Sequence, residues 1–357
     1  MVDMTSLASA FAGRKVLVTG HTGFKGSWLA LWLKQLGADV MGYALPPQES
    51  NSHFSQLGLD RAIRHEVGDI RDYEHVLKCF TDFQPEVVFH LAAQPLVRYS
   101  YREPKETFDV NVAGSVNLLE ACRNIDSIRA LVYVTSDKCY RNNEWIWGYR
   151  ENDELGGHDP YSASKAAAEL VFSSYVDSFF KFRPHFGAAS VRAGNVIGGG
   201  DWAEDRIVPD CIRALTTGQP IQVRNPHSTR PWQHVLDPLS GYLSVAAQLL
   251  SDPANFSGAW NFGPNTSSVK TVGELAKLII GTWGSGEIEI APQVNTVHEA
   301  RLLHLNCDKA HQLLNWQPRW DAETAITKTV EWYRATASKA DAMKISSAQI
   351  EKYMEAR

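Results

Sequence analysis

No stretch of this 357-residue chain approaches the roughly 20 consecutive apolar residues of a membrane-spanning helix. Met1 to Ala12 carries neither a basic n-region nor a sustained apolar core, so secretion is not signalled and a cytoplasmic location is expected. Cysteine is scarce: Cys79, Cys122, Cys139, Cys211 and Cys307 are scattered, odd in number and without metal-ligand spacing. A disulfide framework and a metal site are therefore not expected, and reduced thiols are. There is no surplus of basic charge either, with 35 Lys and Arg against 40 Asp and Glu and a formal net charge of −5. That balance argues against broad nucleic-acid binding and leaves room for a local basic site for phosphates. Internal repeats and low-complexity linkers are absent as well.

What the chain does have is 44% apolar residues, enough to bury one large core or two unequal ones. From Lys15 onward short apolar runs alternate with helical periods: Val16–Val18, Asp39–Tyr43, Ile63–Val67, Val87–Leu91, Ala130–Val134 and Ala188–Val191. Six candidate strands of this kind predict an α/β fold, a doubly wound parallel sheet of the Rossmann type. Trp28, Leu29, Leu31, Trp32, Leu33 and Leu36 repeat at helical spacing and read as core, with Gly37 as the C-cap. Further helices are expected from Val112 to Ala121, entered from Asn111, from Tyr161 to Phe180, and from Ile207 to Leu215. After Gly194 the pattern loosens into a smaller, less regular substrate lobe. The expected division is 1–194 for the dinucleotide-binding domain, with 237–264 returning to it, and 195–236 with 265–357 for the substrate lobe. The polar tail after Ser338 reads as an exposed helix.

Between the first strand and the first long helix stands Gly20-His-Thr-Gly23-Phe-Lys-Gly26. In a strand–loop–helix setting this spacing predicts a dinucleotide site built from Gly20, Thr22, Gly23, Phe24, Lys25 and Gly26: one glycine for the turn, one for the pyrophosphate's approach, one for helix packing. The helix N-terminus supplies N–H groups and a positive dipole end. The carboxylate usually offered to the adenosine ribose about 20 residues on is missing: Asp39 lies at the wrong end of its strand and Tyr43 holds the outgoing end. No Lys or Arg lies between Val40 and Asp60 to meet a 2′-phosphate, which favours NAD over NADP. Asp69 and Ile70 after the third strand, and Leu91, Ala92 and Ala93 after the fourth, are further cofactor candidates. Gln94 beside them is expected at the substrate.

Thr135-Ser136-Asp137-Lys138 follows the fifth strand, and Tyr161-Ser-Ala-Ser-Lys165 opens the next long helix. Four residues apart, Tyr161 and Lys165 share one helix face. A phenol ionises near pH 10, so working near neutrality takes about 4 kcal/mol of help, which a nearby ammonium and a cationic nicotinamide supply. Tyr161 could then take a proton from a sugar hydroxyl while hydride leaves, with Ser136 sharing the hydrogen bond. A simple dehydrogenase has no evident use for Asp137.

With these motifs the chain resembles the extended short-chain dehydrogenase/reductase family over most of its length. Ser136-Asp137-Lys138, together with Arg230-Pro-Trp-Gln-His-Val235, is similar to the nucleotide-sugar 4,6-dehydratase branch, and Lys138 to its CDP-sugar members. The resemblance implies NAD as cofactor, CDP-glucose as substrate, and a redox-neutral sequence: oxidation at C4, loss of the C6 hydroxyl with the C5 proton, and hydride return to C6. It implies that Asp137 gives its proton to the departing hydroxyl. Relatives that act on dTDP-glucose carry glutamate as the C5 base where this chain has Lys138. A lysine takes a proton only in its neutral form, which burial and nearby cations favour; alternatively Lys138 orients water or the enolate. By the same resemblance Asn195, Arg230 and Arg301 face the diphosphate, with Arg206 and Arg224 as weaker candidates. Family members dimerise through the helices near Val112 and Tyr161, so a homodimer or homotetramer is expected, and the products feed deoxysugars into bacterial surface polysaccharide. Three other readings stand beside this one: a nucleotide-sugar 4-epimerase, a dTDP- or GDP-sugar dehydratase, and an NAD-binding regulatory protein with idle catalytic residues.

Overall fold

The computed structural model describes residues 4–265, 268–290 and 303–356. Its centre is a seven-stranded parallel sheet built from β1 (Lys15–Thr19), β2 (Asp39–Ala44), β3 (Arg64–Val67), β4 (Val87–His90), β5 (Ala130–Val134), β6 (Gly187–Ala193) and a seventh strand, Gly258–Phe262. The spatial order is Gly258–Phe262, β6, β5, β4, β1, β2, β3. Every residue of β4, β5 and β6 is buried, as expected when helices cover both faces of a parallel sheet. The chain order reverses between β1 and β4, whose register pairs Thr19 with His90, and a ligand crevice opens beyond the carboxyl ends of the strands at such a switch point.

One face of the sheet packs on the Phe24–Gln35 helix, where Trp28 and Trp32 are completely buried, and on the Leu236–Ser251 helix. The other is covered by Tyr73–Phe83, Gly114–Asn124 and Pro160–Ser178, with Phe80, Leu118, Tyr133 and Phe172 in the contact. Gly37 takes φ +82° just past the end of the first of these helices, a left-handed position that glycine fills without strain. The remaining residues build smaller ladders, Ile221–Val223 with Ile288–Ile290 and Thr229–Pro231 with Val269–Thr271, and the helices Ile207–Thr216, Val272–Trp283 and Ala322–Ala337.

Two expectations need correction. Asn111 does not open a helix: it lies inside a π-helical turn, Asp109–Ala113, that joins the helices Pro104–Phe108 and Gly114–Asn124. Nor is the polar tail simply exposed. Ala342–Glu355 is a helix that buries Ser346, Ile350 and Tyr353, an i, i+4, i+7 stripe that faces the core. Among the described residues no helix is long and apolar enough to cross a membrane, and all five cysteines are buried free thiols.

Candidate active site

The glycine loop turns at Gly20 with φ +73°, and a Cβ there would lie 2.7 Å from the Ala92 nitrogen. A Cβ on Gly26 would lie 2.1 Å from the Gly20 carbonyl oxygen, so the loop closes only with glycine at both places. Gly23 is the N-cap of the Phe24–Gln35 helix, without a side-chain cap and without an acidic residue in the first turn. The first N–H groups therefore point outward unanswered beside the positive end of the helix dipole, an anion site by construction. Thr22 ties this loop to the end of β2 through Oγ1 and the Leu45 carbonyl, 2.9 Å, while the Phe24 ring lies against Gly198. Beyond β1, the Leu91 and Ala92 N–H groups both reach Thr19 Oγ1 at 3.2 Å, and Ala93 follows in the same half-buried turn.

At the adenosine end, Tyr43 is turned inward: its hydroxyl donates to the Asp69 carbonyl at 3.0 Å and its ring fills the space beside Gly68. The Asp69 carboxylate is gripped by the Arg71 fork at 2.6–3.0 Å. Ile70 is buried against Gly114.

Asp137–Cys139 forms a single 3₁₀ turn immediately after β5. Asp137 is 4% exposed, takes the Ser136 hydroxyl on Oδ1 at 2.9 Å, and abuts Gly194, where a Cβ would lie 2.7 Å from Oδ2. Tyr161 and Lys165 stand on the first turns of the Pro160–Ser178 helix. Asp159 caps that helix by accepting from the Ser162 N–H, 2.9 Å, and Pro160 occupies the first helical position. Lys165 Nζ lies 6.0 Å from the centroid of the Tyr161 ring, and no hydrogen bond joins the two side chains. Burial pushes the Tyr161 phenol up to about 12; the Ser136 hydroxyl works to lower it and the Asp137 charge to raise it. Burial likewise pushes the Lys165 ammonium down to about 8, with Glu169 opposing. The expected lowering of the phenol by Lys165 is thus not what the protein alone provides. Ionising Tyr161 near neutrality takes about 7 kcal/mol, more than the sequence suggested, which a cationic nicotinamide is suited to supply. Lys138 is half-buried, and its ammonium has no hydrogen bond or ion pair among the described residues.

Several groups around these side chains escaped the sequence reading. Asn111 Nδ2 donates to Ser164 Oγ at 2.9 Å and to the Gln94 carbonyl at 3.1 Å, while its Oδ1 accepts from the Gln94 N–H at 2.8 Å. The π turn that aims it is the kind of irregularity that recurs at functional sites. Glu169, one turn after Lys165, pairs with Arg192 through two 2.8 Å bonds and also accepts from Thr135 and Ser190. Burial works against this carboxylate, but Arg192 and the hydrogen bonds outweigh it and hold the carboxyl below its ordinary range. Lys25 is half-buried, and its ammonium is pushed down to about 8 by burial and then by Arg206, with Asp137 opposing. Lys25 is thus within electrostatic reach of Asp137 and Lys165 as well as in the loop. Arg206, ranked low from sequence, has its Nη1 2.8 Å from Asp201.

The Gln94 side chain, expected at the substrate, is engaged with Thr107 of the Pro104–Phe108 helix and with the Leu96 backbone. Asn195 is half-buried just beyond β6. Arg230 lies in the Thr229–Pro231 strand with Nη1 on the Thr229 carbonyl, 2.8 Å. Arg224 reaches Asp205 at 3.7 Å, the same carboxylate that Arg98 reaches at 3.2 Å. Arg301 lies outside the described residues.

The GDP-mannose 4,6 dehydratase family matches residues 17–329. A CDP-glucose 4,6-dehydratase of Salmonella typhimurium is 49% identical to this chain over 348 residues, covering 96% of it and 97% of the relative. A Thermus thermophilus UDP-glucose 4-epimerase solved with NAD superposes with a TM-score of 0.74 at 27% identity, over 90% of this chain and 99% of that one. A dTDP-glucose 4,6-dehydratase of Bacillus anthracis, also solved with NAD, gives 0.76 at 22% identity over 93% of this chain and 100% of that one. With a glycine loop between β1 and the Phe24–Gln35 helix, with Ser136 and Asp137 after β5 and Tyr161 and Lys165 at the start of the Pro160–Ser178 helix, and with this extent of likeness, the chain belongs to the GDP-mannose 4,6 dehydratase family of extended short-chain dehydrogenases/reductases.

Proposed function

We propose that this chain converts CDP-D-glucose to CDP-4-keto-6-deoxy-D-glucose and water, with NAD as a redox partner regenerated within each turnover. The observation that carries the proposal is Asp137, a buried carboxyl beside Ser136 and within electrostatic reach of the Tyr161 phenol, in a chain half identical to a CDP-glucose 4,6-dehydratase. The residues present fit NAD: the all-glycine closure at Gly20 and Gly26 and the uncapped helix start at Gly23 suit a pyrophosphate, and no Lys or Arg stands between Val40 and Asp60 in the sequence to meet a 2′-phosphate. When bound, the nicotinamide supplies the acceptor for the C4 hydride and the donor that returns it to C6.

Tyr161, as phenolate, takes the C4 hydroxyl proton, and Ser136 orients that hydroxyl. The resulting C4 ketone acidifies the C5 proton; Lys138 accepts it and gives it back to C5 when the hydride returns to C6. The C5–H electron pair becomes the C5–C6 double bond, the C6–O pair leaves on oxygen, and Asp137 gives that oxygen the proton that makes it water. Arg206, Arg230, Asn195 and Arg301 hold the diphosphate, arginine through its planar fork. We extend the proposal to a homo-oligomer through the outward face of the Pro160–Ser178 helix, where Leu170 is exposed.

The test is incubation with CDP-glucose and NAD, followed by alkali and absorbance for a 4-keto sugar. Deuterium placed at C4 is expected at C6 of the product; deuterium retained at C4 with inverted configuration would indicate an epimerase instead. Turnover of dTDP- or GDP-glucose, with none of CDP-glucose, would remove the nucleotide assignment.

A further inference from the structure

His53 opens the short helix His53–Leu57 and is buried between the Phe24–Gln35 helix, Gly200 and the C-terminal helix Ala342–Glu355. Its ring stacks on Trp28, with centroids 4.4 Å apart and planes 14° from parallel. A phenyl ring would stack there equally well, so packing alone does not account for a side chain whose two nitrogens are both bonded. Nδ1 meets Ser27 Oγ at 2.8 Å, and Nε2 meets Ser346 Oγ at 3.0 Å.

The chain of bonds continues at both ends. Ser346 Oγ accepts from the Trp332 indole N–H at 2.9 Å, and Ser27 Oγ donates to the Phe24 carbonyl at 2.9 Å. One direction uses every proton. Trp332 donates to Ser346, the Ser346 hydroxyl to His53 Nε2, the His53 Nδ1–H to Ser27, and the Ser27 hydroxyl to Phe24. The reverse direction leaves the Ser346 proton without an acceptor among the described residues. This order takes a neutral imidazole, and burial keeps the ring neutral by pushing it down to about 3.

The last link falls on the cofactor loop. The Phe24 carbonyl and the Lys25 N–H are the two ends of one peptide unit. That N–H is among the first of its helix, which have no partner within it and stand where the pyrophosphate fits. A hydrogen bond accepted by the carbonyl fixes the peptide plane and polarises its N–H, and links that point the same way reinforce one another. Trp332 and Ser346 lie beyond residues 17–329, which the family matches, so the loop draws support from groups outside the family pattern.

We propose that His53, Ser27 and Ser346 are positioning residues for NAD, carrying the docking of the C-terminal helix to the N–H groups that hold the pyrophosphate. The proposal rests on the NAD site and not on which sugar is turned over. The effect is reciprocal: as the docked helix tightens NAD, so NAD tightens the docking of the helix.

The test is calorimetric titration with NAD of the wild type, Ser346→Ala, Ser27→Ala and the double variant. Each single variant is expected to bind NAD about 3- to 10-fold more weakly, the scale of one neutral hydrogen bond, with KM for CDP-glucose at saturating NAD nearly unchanged. The double variant should bind no more weakly than the weaker single variant, because one break severs the chain. Ile350→Ala hollows the same buried stripe outside the chain of bonds. It should melt at a lower temperature yet keep wild-type NAD affinity, whereas affinity that follows melting temperature would reduce the helix to a structural part. In the wild type, hydrogen exchange at 342–355 should slow on adding NAD by more than exchange at 272–283, and this excess should vanish in Ser27→Ala. Wild-type affinity in both single variants, or equal effects of NAD on the two segments, would overturn the inference and leave the dehydratase reading standing. A wild type that binds no NAD would overturn the cofactor site and the inference with it.

Discussion

Lys138 is the residue at which this site departs furthest from an ordinary dehydrogenase. Its neighbours in sequence are committed: Asp137 to Ser136, Cys139 and Tyr140 to a buried aromatic cluster with Tyr149. Lys138 alone in that turn keeps its head group clear of described partners. Lys138→Met removes the amine and keeps the length of the stem. The expected enzyme still reduces its nicotinamide on adding CDP-glucose, loses the exchange of the C5 proton with deuterated solvent, and forms product at least about 100-fold more slowly, the usual scale of a lost general base. Unimpaired C5 exchange, measured by proton NMR of recovered substrate, would assign the base elsewhere. At this scale much of the site was legible. Ser136, Asp137, Lys138, Tyr161 and Lys165 fall on one strand end and one helix start, where spacing dictates proximity. Asn111 was not legible as a site residue, because it comes from a separate π turn and only the packed fold brings it to the Pro160–Ser178 helix; Glu169 stands one turn after Lys165, but its pairing with Arg192 of β6 is likewise set by the packed fold.

The Ala342–Glu355 helix lies wholly beyond the residues matched by the family, and it is bound to both halves of the molecule. Ser346 Oγ meets His53 Nε2 at 3.0 Å, and His53 Nδ1 meets Ser27 of the Phe24–Gln35 helix at 2.8 Å. At the other end Tyr353 donates to Asp237 Oδ1 at 2.8 Å, and Arg319 caps the carbonyls of Tyr353, Met354 and Ala356. The sequence hid this docking because polar residues dominate the helix, and the inward stripe of Ser346, Ile350 and Tyr353 is only half apolar. Asp237 is completely buried, Oδ2 has no partner, and burial pushes its carboxyl up to about 7. The unfolded chain loses this proton near pH 4 and the folded chain keeps it to about 7. Its contribution is therefore full below pH 4, is lost as pH rises between those values by about 4 kcal/mol, and is constant above. Asp237→Asn keeps the acceptor for Tyr353 and Arg319 and removes the charge. Urea unfolding should show this variant more stable than the wild type at pH 8 by a few kcal/mol on that same scale, with the difference narrowing toward pH 4; an equal difference at both pH values would refute the role of that proton.

Across the whole molecule, six of the seven strands of the parallel sheet were legible as apolar runs, because most of them are buried on both faces and leave no alternation to misread, while their spatial order was not, since it is set by the crossovers. Less visible was how many titratable groups the fold would bury. His21, His53, His90 and His234 are each pushed down to about 3, chiefly by burial. Their rings are used in packing: His53 stacks on Trp28 at 4.4 Å, and His90 meets Thr19 Oγ1 at 2.7 Å. As pH falls below about 6.5 the unfolded chain takes up protons at these four positions while the folded chain takes none, so stability present above 6.5 is lost on the way to 3. Asp237 opposes this with one proton in the window from about 4 to 7. The net uptake on unfolding is about three protons, or about 4 kcal/mol per pH unit. A domain stability of about 5–15 kcal/mol is exhausted at that slope within about one to four pH units, so cooperative unfolding is expected between about pH 5 and pH 3, with maximal stability between about 6.5 and 7. Asp237→Asn, which removes the opposing proton, should steepen the acid limb to about four protons. Denaturant titrations at half-unit pH steps give this slope directly, and a flat stability between pH 6 and 5 would show that the four rings do not stay neutral in the folded chain.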